Sequence, residues 1–178
     1  MVWINRSHAG PLSVLFVWLT ALVPWNVTYS PLGEAGRVLF VRFPFFEFQY
    51  TTGVGPTIDG LLVRTVLGAM GLQAGQGLET ATRLWGLTAV VVAVAVAVSV
   101  AYYLDEERVE AGPADPVRLL GGLLALTAVG FAAATAAVWT GGFGGVPIPV
   151  GVVLIGSFAF VLLRAEVSED VGRDADSQ

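Results

Sequence analysis

The sequence predicts an all-α integral membrane protein: a four-helix transmembrane bundle with a long aromatic-rich extended or interfacial segment between its first and second helices. Three observations predict it. Hydrophobic residues make up 55% of the 178-residue chain and charged residues only 13%, about half the charged share of a soluble domain, so a water-soluble core of this size could not hide the apolar surface. The charges collect between four long apolar runs. The second, third and fourth runs contain no Asp, Glu, Arg, Lys, His, Asn or Gln.

The first run, residues 12–29, follows a short head with Arg6 and is long enough for one crossing at about 1.5 Å per residue. Pro24, Trp25 and Tyr29 stand where a cleavable signal would need small residues, so the run reads as an uncleaved signal anchor. The second run, residues 84–104, alternates Val and Ala from Val92 to Val98, as a strand would. Its uncharged length predicts a helix instead, because a lone strand in lipid leaves its backbone groups unpaired. Trp85 and Tyr102-Tyr103 are its expected interface anchors. Residues 119–140 and 147–163 make the third and fourth helices, the last closed by Arg164. Together residues 1–165 form one transmembrane domain, and the acidic residues 166–178 read as a disordered tail.

The least ordinary part is residues 30–83. Five phenylalanines and a tyrosine fall between Phe40 and Tyr50, which predicts one extended segment over residues 37–50, with Pro44 confining it to an edge. On a continuous strand Arg37 and Glu47 share one face and Arg42 takes the other. Residues 61–72, with Arg64 inside and Asp59 just before, are short for a crossing and read as an interfacial or re-entrant helix. The rival topology makes them a fifth span and puts the termini on opposite faces. Arg42, Glu47, Asp59 and Arg64 are the charges that could converge beside an aromatic surface. With Phe43, Phe45 and Phe46 they form the candidate contact set for a lipid or a partner, against the plainer reading of interfacial anchoring with local ion pairs.

In the four-span topology Arg6, Arg108, Arg118, Arg164 and Arg173 share a side, opposite Arg37, Arg42, Arg64 and Arg83, so the count favours cytoplasmic termini in a cell membrane. Asn26-Val27-Thr28 fits the N-glycosylation pattern and would lie outside. Ala89, Ala93, Ala97 and Ala101 recur every fourth residue on the second helix, and Gly130/Ala134 repeats the small-residue spacing on the third. That spacing predicts close contact between the two helices.

Several chemistries are excluded or unsupported. With no cysteine there are no disulfides, thiolate nucleophiles or Cys-type metal sites. His8 in the N-terminal flank carries no assigned role, no basic patch suggests nucleic acid, and no glycine spacing matches a P-loop or dinucleotide fingerprint. No catalytic residue, metal ligand or cofactor is expected. Ionisable groups at membrane depth, from which pumps and intramembrane proteases are built, are missing from spans two to four. All nine basic residues are arginine, and the net charge of −5 with fourteen acidic residues suits the short Debye length of concentrated salt. That composition suggests a halophilic source.

At Leu22-Val23-Pro24-Trp25-Asn26-Val27-Thr28-Tyr29-Ser30 and Phe40-Val41-Arg42-Phe43-Pro44-Phe45-Phe46 the chain resembles a family of small haloarchaeal multi-pass membrane proteins with no assigned activity. The likeness covers most of residues 1–165. It implies a source and a membrane location, and no catalytic residue. The leading functional expectation is a non-enzymatic membrane subunit or scaffold, whose aromatic segment contacts membrane lipid, another membrane protein or a second copy. The alternative is a small oligomeric transporter or channel-like module, and a surface enzyme working through Glu47 or Asp59 stands third.

Overall fold

Pro24 decides where the first helix stops. It lacks an amide hydrogen and disfavours helical backbone at Val23, and in the computed structural model, which describes residues 2–106, 109 and 115–168, helix α1 (Arg6–Leu22) ends just before it. The β-branched and aromatic residues that follow do not prolong the helix to residue 29. They form strand β2 (Asn26–Pro31), whose register runs from Asn26 opposite Arg42 to Pro31 opposite Arg37. Upstream, β1 (Val2–Asn5) precedes α1 and pairs in parallel with β7 (Ala165–Ser168) near the other end of the chain.

The expected single extended segment over residues 37–50 is a hairpin instead. β3 (Arg37–Arg42) and β4 (Phe46–Thr52) are joined by Phe43, Pro44 and Phe45, closed by the Phe43 N–H donating to the Phe46 carbonyl at 2.8 Å. Pro44 thus sits in a turn, where its missing N–H costs no ladder bond. The expected interfacial helix or fifth span over residues 61–72 divides as well. β5 (Gly60–Thr65) adds to the hairpin, and α2 (Val66–Gln73) is an eight-residue helix, about 12 Å long and far too short to cross a bilayer. Thr65 caps it by accepting from the Gly68 N–H. With β6 (Val146–Ile148) the strands make an antiparallel sheet in the order β5-β4-β3-β2-β6.

Among the described residues the helices α3 (Glu79–Leu104), α4 (Pro116–Thr140) and α5 (Val150–Arg164) follow the sheet segment. The Val/Ala run of α3 is helical, as its length required. Asp115 starts α4 by accepting from the Val117 N–H at 2.9 Å, with Pro116 in the first turn, where its missing N–H is harmless. Among the described residues, five helices beside a five-stranded sheet are not the expected all-α four-helix bundle. By length and composition, two helices among the described residues, α3 and α4, could cross a membrane, and α1 and α5 are shorter apolar helices. Of the tail expected to be disordered over residues 166–178, residues 166–168 lie in β7 and residues 169–178 lie outside the described residues.

Helix α3 packs on α4, α4 on α5, and α1 chiefly on α3. On α3 the buried positions Ala81, Trp85, Thr88, Val92, Ala95, Ser99 and Tyr102 alternate steps of four and three, the seam of a left-handed pair. Of the alanines singled out by spacing, Ala89 is buried, whereas Ala93 and Ala97 face outward. A strict four-residue spacing drifts around a helix of 3.6 residues per turn, so Ala95 takes the inward place. On α4 Ala134 is buried, and Gly130 lies so close to α3 that a Cβ there would collide with the Thr88 side chain. Large residues such as Leu87, Val90, Val94, Leu126, Val129 and Val153 point away from the bundle. The interior holds large side chains too, among them Trp85, Leu120, Leu124, Phe131 and Ile155, so the helices are apolar on their outward as well as their inward sides.

Candidate functional site

The sheet register builds the site. Asn26 on β2, Arg42 on β3, Glu47 on β4 and Arg64 on β5 are directly opposite one another, forming one cross-strand row on one face. The next row on that face is Thr28, Phe40, Gln49 and Leu62, with Pro147 of β6 beside Thr28. The polar row lies at the end of the sheet nearest the helices. Asn26 follows α1 by a few residues, Arg42 and Glu47 flank the β3–β4 turn, and Arg64 almost abuts α2. That turn is pinned to α3 by the Trp85 indole N–H, which donates to the carbonyls of Phe43 at 3.1 Å and Pro44 at 2.8 Å.

Within the row, Arg42 Nε donates to Glu47 Oε2 at 3.2 Å, and Arg42 Nη1 donates to Asn26 Oδ1 at 3.0 Å and Thr28 Oγ1 at 2.8 Å. The Thr28 hydroxyl donates onward to Asn26 Oδ1 at 2.6 Å. Arg64 Nη1 reaches Glu47 Oε1 at 3.3 Å and Gln49 Oε1 at 2.8 Å. Asn26, Thr28, Arg42 and Glu47 are all buried. The Arg42 guanidinium also lies over the Phe40 ring at 4.8 Å and near Phe143 at 6.0 Å. Burial lowers the pKa of Arg42 against the opposing pull of the Glu47 carboxylate. Two guanidinium groups face one carboxylate, so the row carries an excess positive charge.

Arg42, Glu47 and Arg64, three of the four charges expected to converge, therefore meet, but Arg42 and Glu47 share a face that the continuous-strand reading denied them. The three-residue turn restores the pairing, whereas Arg37 projects from the opposite face, opposite Thr52. Asp59 stands apart. Its carboxylate accepts from the backbone N–H groups of Gly53 and Val54, both at 2.9 Å, and Gly55 at 3.2 Å. These bonds, Val54 first, hold its pKa below the ordinary aspartate value. Phe43 and Phe46 stack at 4.8 Å and both meet Phe48 edge-on, while Phe45 packs into the helical core.

A cavity of about 250 Å³ opens beneath the row, lined from the sheet by Phe40, Arg42, Glu47, Gln49 and Arg64 and closed by α2, the start of α3 and Phe143. The composition of the segment did not reveal Asn26, Thr28, Gln49 and Phe143. A usable signal was present: Asn26/Thr28/Ser30 and Glu47/Gln49/Thr51 are polar at every second residue, the period of a one-sided strand. Among the described residues no cluster of three or more His, Cys, Asp or Glu could hold a metal ion.

The reverse face is unlike the first. It carries Val27, Val41, Phe48, Val63 and Ile148 in one row and Tyr29, Leu39, Tyr50, Leu61 and Val146 in the next. Tyr29, Tyr50, Leu61, Val63, Val146 and Ile148 are all exposed. Arg37 at one end of β3 apart, the sheet thus turns its charges inward and its apolar side outward. β5 forms one edge and is exposed along nearly its whole length.

A family model described as a family of unknown function, DUF7549, matches residues 2–167, and the chain belongs to that family. No curated protein matches the chain.

Proposed function

We propose that the protein is a non-enzymatic subunit or scaffold of a membrane assembly, with α3 and α4 crossing the bilayer and the sheet presenting its apolar face to a partner polypeptide. The observation that carries this reading is the inverted sheet, since an exposed apolar face of this extent marks an interaction surface. Membrane embedding is supported by helices whose outward faces expose Leu and Val, a surface that lipid covers at no cost.

The edge strand favours a polypeptide over lipid as the occupant. β5 has a neighbour on one side only, and Leu61, Leu62 and Val63 are exposed on both its faces with neither a proline nor a lysine to blunt it. Its outward N–H and C=O groups need hydrogen-bonding partners, which acyl chains lack and an added strand supplies. A non-enzymatic role accords with the carboxylates of the site: Glu47 is neutralised by two arginines and Asp59 is spent on a turn.

The test is purification of the tagged chain from its native membranes in mild detergent, beside the triple variant Tyr50→Ser, Leu61→Ser, Val63→Ser. These residues are exposed, so the variant keeps its fold. A foreign polypeptide at fixed stoichiometry that disappears with the variant supports the reading. A partner retained by the variant, or a particle containing this chain alone, sinks it, as does extraction of the wild type by alkaline carbonate.

A further inference from the structure

We propose that the cavity beneath the sheet binds a phosphate-type anion, a phosphate mono- or diester group held between the guanidinium groups of Arg42 and Arg64. The titratable groups lining it are these two arginines and Glu47, leaving one positive charge without a counter-ion. Other nearby carboxylates are committed elsewhere: Asp59 to its turn, and Glu79 to Arg83 and the Gly75 N–H.

The cluster also has donors to spare. Arg42 spends Nε and Nη1 on Glu47, Asn26 and Thr28, and Arg64 spends Nη1 on Glu47 and Gln49. Among the described residues, Nη2 of Arg42 and both Nε and Nη2 of Arg64 meet no acceptor. Gln73 of α2 lines the same cavity. A tetrahedral oxyanion can accept from both guanidinium groups at once, the charge-assisted geometry that arginine favours. About 250 Å³ is well beyond the roughly 30 Å³ that one water occupies in the liquid, so the phosphate and part of its ester fit. An anion here also offsets the desolvation of the buried Arg42 charge.

The level of the cavity bears on the source of the phosphate. Its wall includes Leu78 and Thr82, at the end of α3 where the Glu79–Arg83 ion pair gives way to the uncharged run. In a bilayer, headgroup phosphates lie where such an apolar run begins. Assigning the phosphate to a lipid rests on the membrane reading above, whereas the anion site itself does not.

The experiment uses the full chain, stripped of lipid in a neutral maltoside detergent and titrated with inorganic phosphate against chloride at equal ionic strength, with thermal unfolding as the readout. Saturable stabilisation by phosphate is expected, weakened about tenfold in Arg64→Gln by loss of charge-assisted hydrogen bonds. Gln73→Ala, clear of the ion pairs, is expected to weaken it severalfold and serves if Arg64→Gln fails to fold. Competition by short-chain phosphatidylglycerol assigns the site to a lipid headgroup, and its absence assigns it to free phosphate. No saturable effect on the wild type, or one unchanged in both variants, overturns the proposal. A protein that binds phosphate yet is extracted by carbonate would keep this site and lose the membrane reading.

Discussion

Arg42 and Glu47 stand directly opposite each other on adjacent strands, Nε to Oε2 at 3.2 Å, both buried at the end of the sheet that meets the helices. Their pairing is tied to the turn between them, which Trp85 of α3 holds through two carbonyls. The ion pair, the hairpin register and the docking of sheet on helices are therefore one unit.

Removing the carboxylate charge should cost more than removing the whole pair. Glu47→Gln leaves two guanidinium groups without their anion, one of them buried, and is expected to destabilise the protein by about 3–5 kcal/mol. The double variant Arg42→Leu, Glu47→Leu removes the uncompensated buried charge and should lose much less than the sum of its single changes. Denaturant or thermal unfolding in detergent measures both. A double variant that loses the full sum of its two single changes would show that the pair is not a coupled unit.

The contact between α3 and α4 makes a packing prediction. A methyl group at Gly130 meets the Thr88 side chain, whose hydroxyl already donates to the Leu84 carbonyl at 2.8 Å. Gly130→Ala should therefore destabilise by about 1–3 kcal/mol through overpacking. Adding Thr88→Ala opens the space and should restore most of that loss. A neutral Gly130→Ala in thermal unfolding would mean that the helices do not approach this closely.

The sequence carried the helices more legibly than the sheet, for a physical reason. Long uncharged runs mark helices through composition alone, and α3, α4 and α5 lie over the runs that announced them. The sheet is encoded in alternation, which was obscured because its outward face is apolar as well. Phe46, Phe48 and Tyr50 alternate with Glu47, Gln49 and Thr51, and dense aromatics hide that pattern from a reading of hydropathy. A continuous strand puts Arg42 and Glu47 on opposite faces, whereas a turn that leaves four residues, Phe43 to Phe46, between the paired positions brings them onto one. Asn26 fits the N-glycosylation pattern, but it is fully buried and bonded to Arg42, so the folded site has no room for a glycan. Asp59 was grouped with the arginines by proximity along the chain, when the loop had claimed it for three amides.

Asp59 gives a pH prediction. Its backbone bonds lower the folded pKa below an unfolded value of roughly 3.9, so its contribution is present above that value and is lost as pH falls through the folded pKa. Amide exchange at Gly53, Val54 and Gly55 should accelerate as the pH drops below about 4, relative to the intrinsic rate at each pH. Asp59→Ala should show the faster exchange already at neutral pH, with the row around Glu47 undisturbed. Protection in the variant equal to that of the wild type would show that the carboxylate does not organise the turn.

The tryptophans report whether lipid covers the helices. Trp18 on α1 and Trp139 on α4 are both exposed, whereas Trp25 and Trp85 are enclosed, Trp25 stacked on Phe131 at 4.9 Å. If the bundle sits in a bilayer, bromines on acyl chains should quench Trp18 and Trp139 and leave Trp25 and Trp85 bright. Measured in a Trp3→Phe background, replacing the exposed pair, Trp18→Phe with Trp139→Phe, should then remove most of the quenching without unfolding the protein. Trp18 lies about three-quarters of the way along α1 and gives up only the hydrogen bond from its indole N–H to Ser99 Oγ at 3.1 Å. Bromines placed deep in the chains should therefore act more on Trp18, and shallow ones more on Trp139 near the end of α4. Quenching by aqueous iodide with no response to brominated lipid would place these side chains in water and the helices outside the membrane.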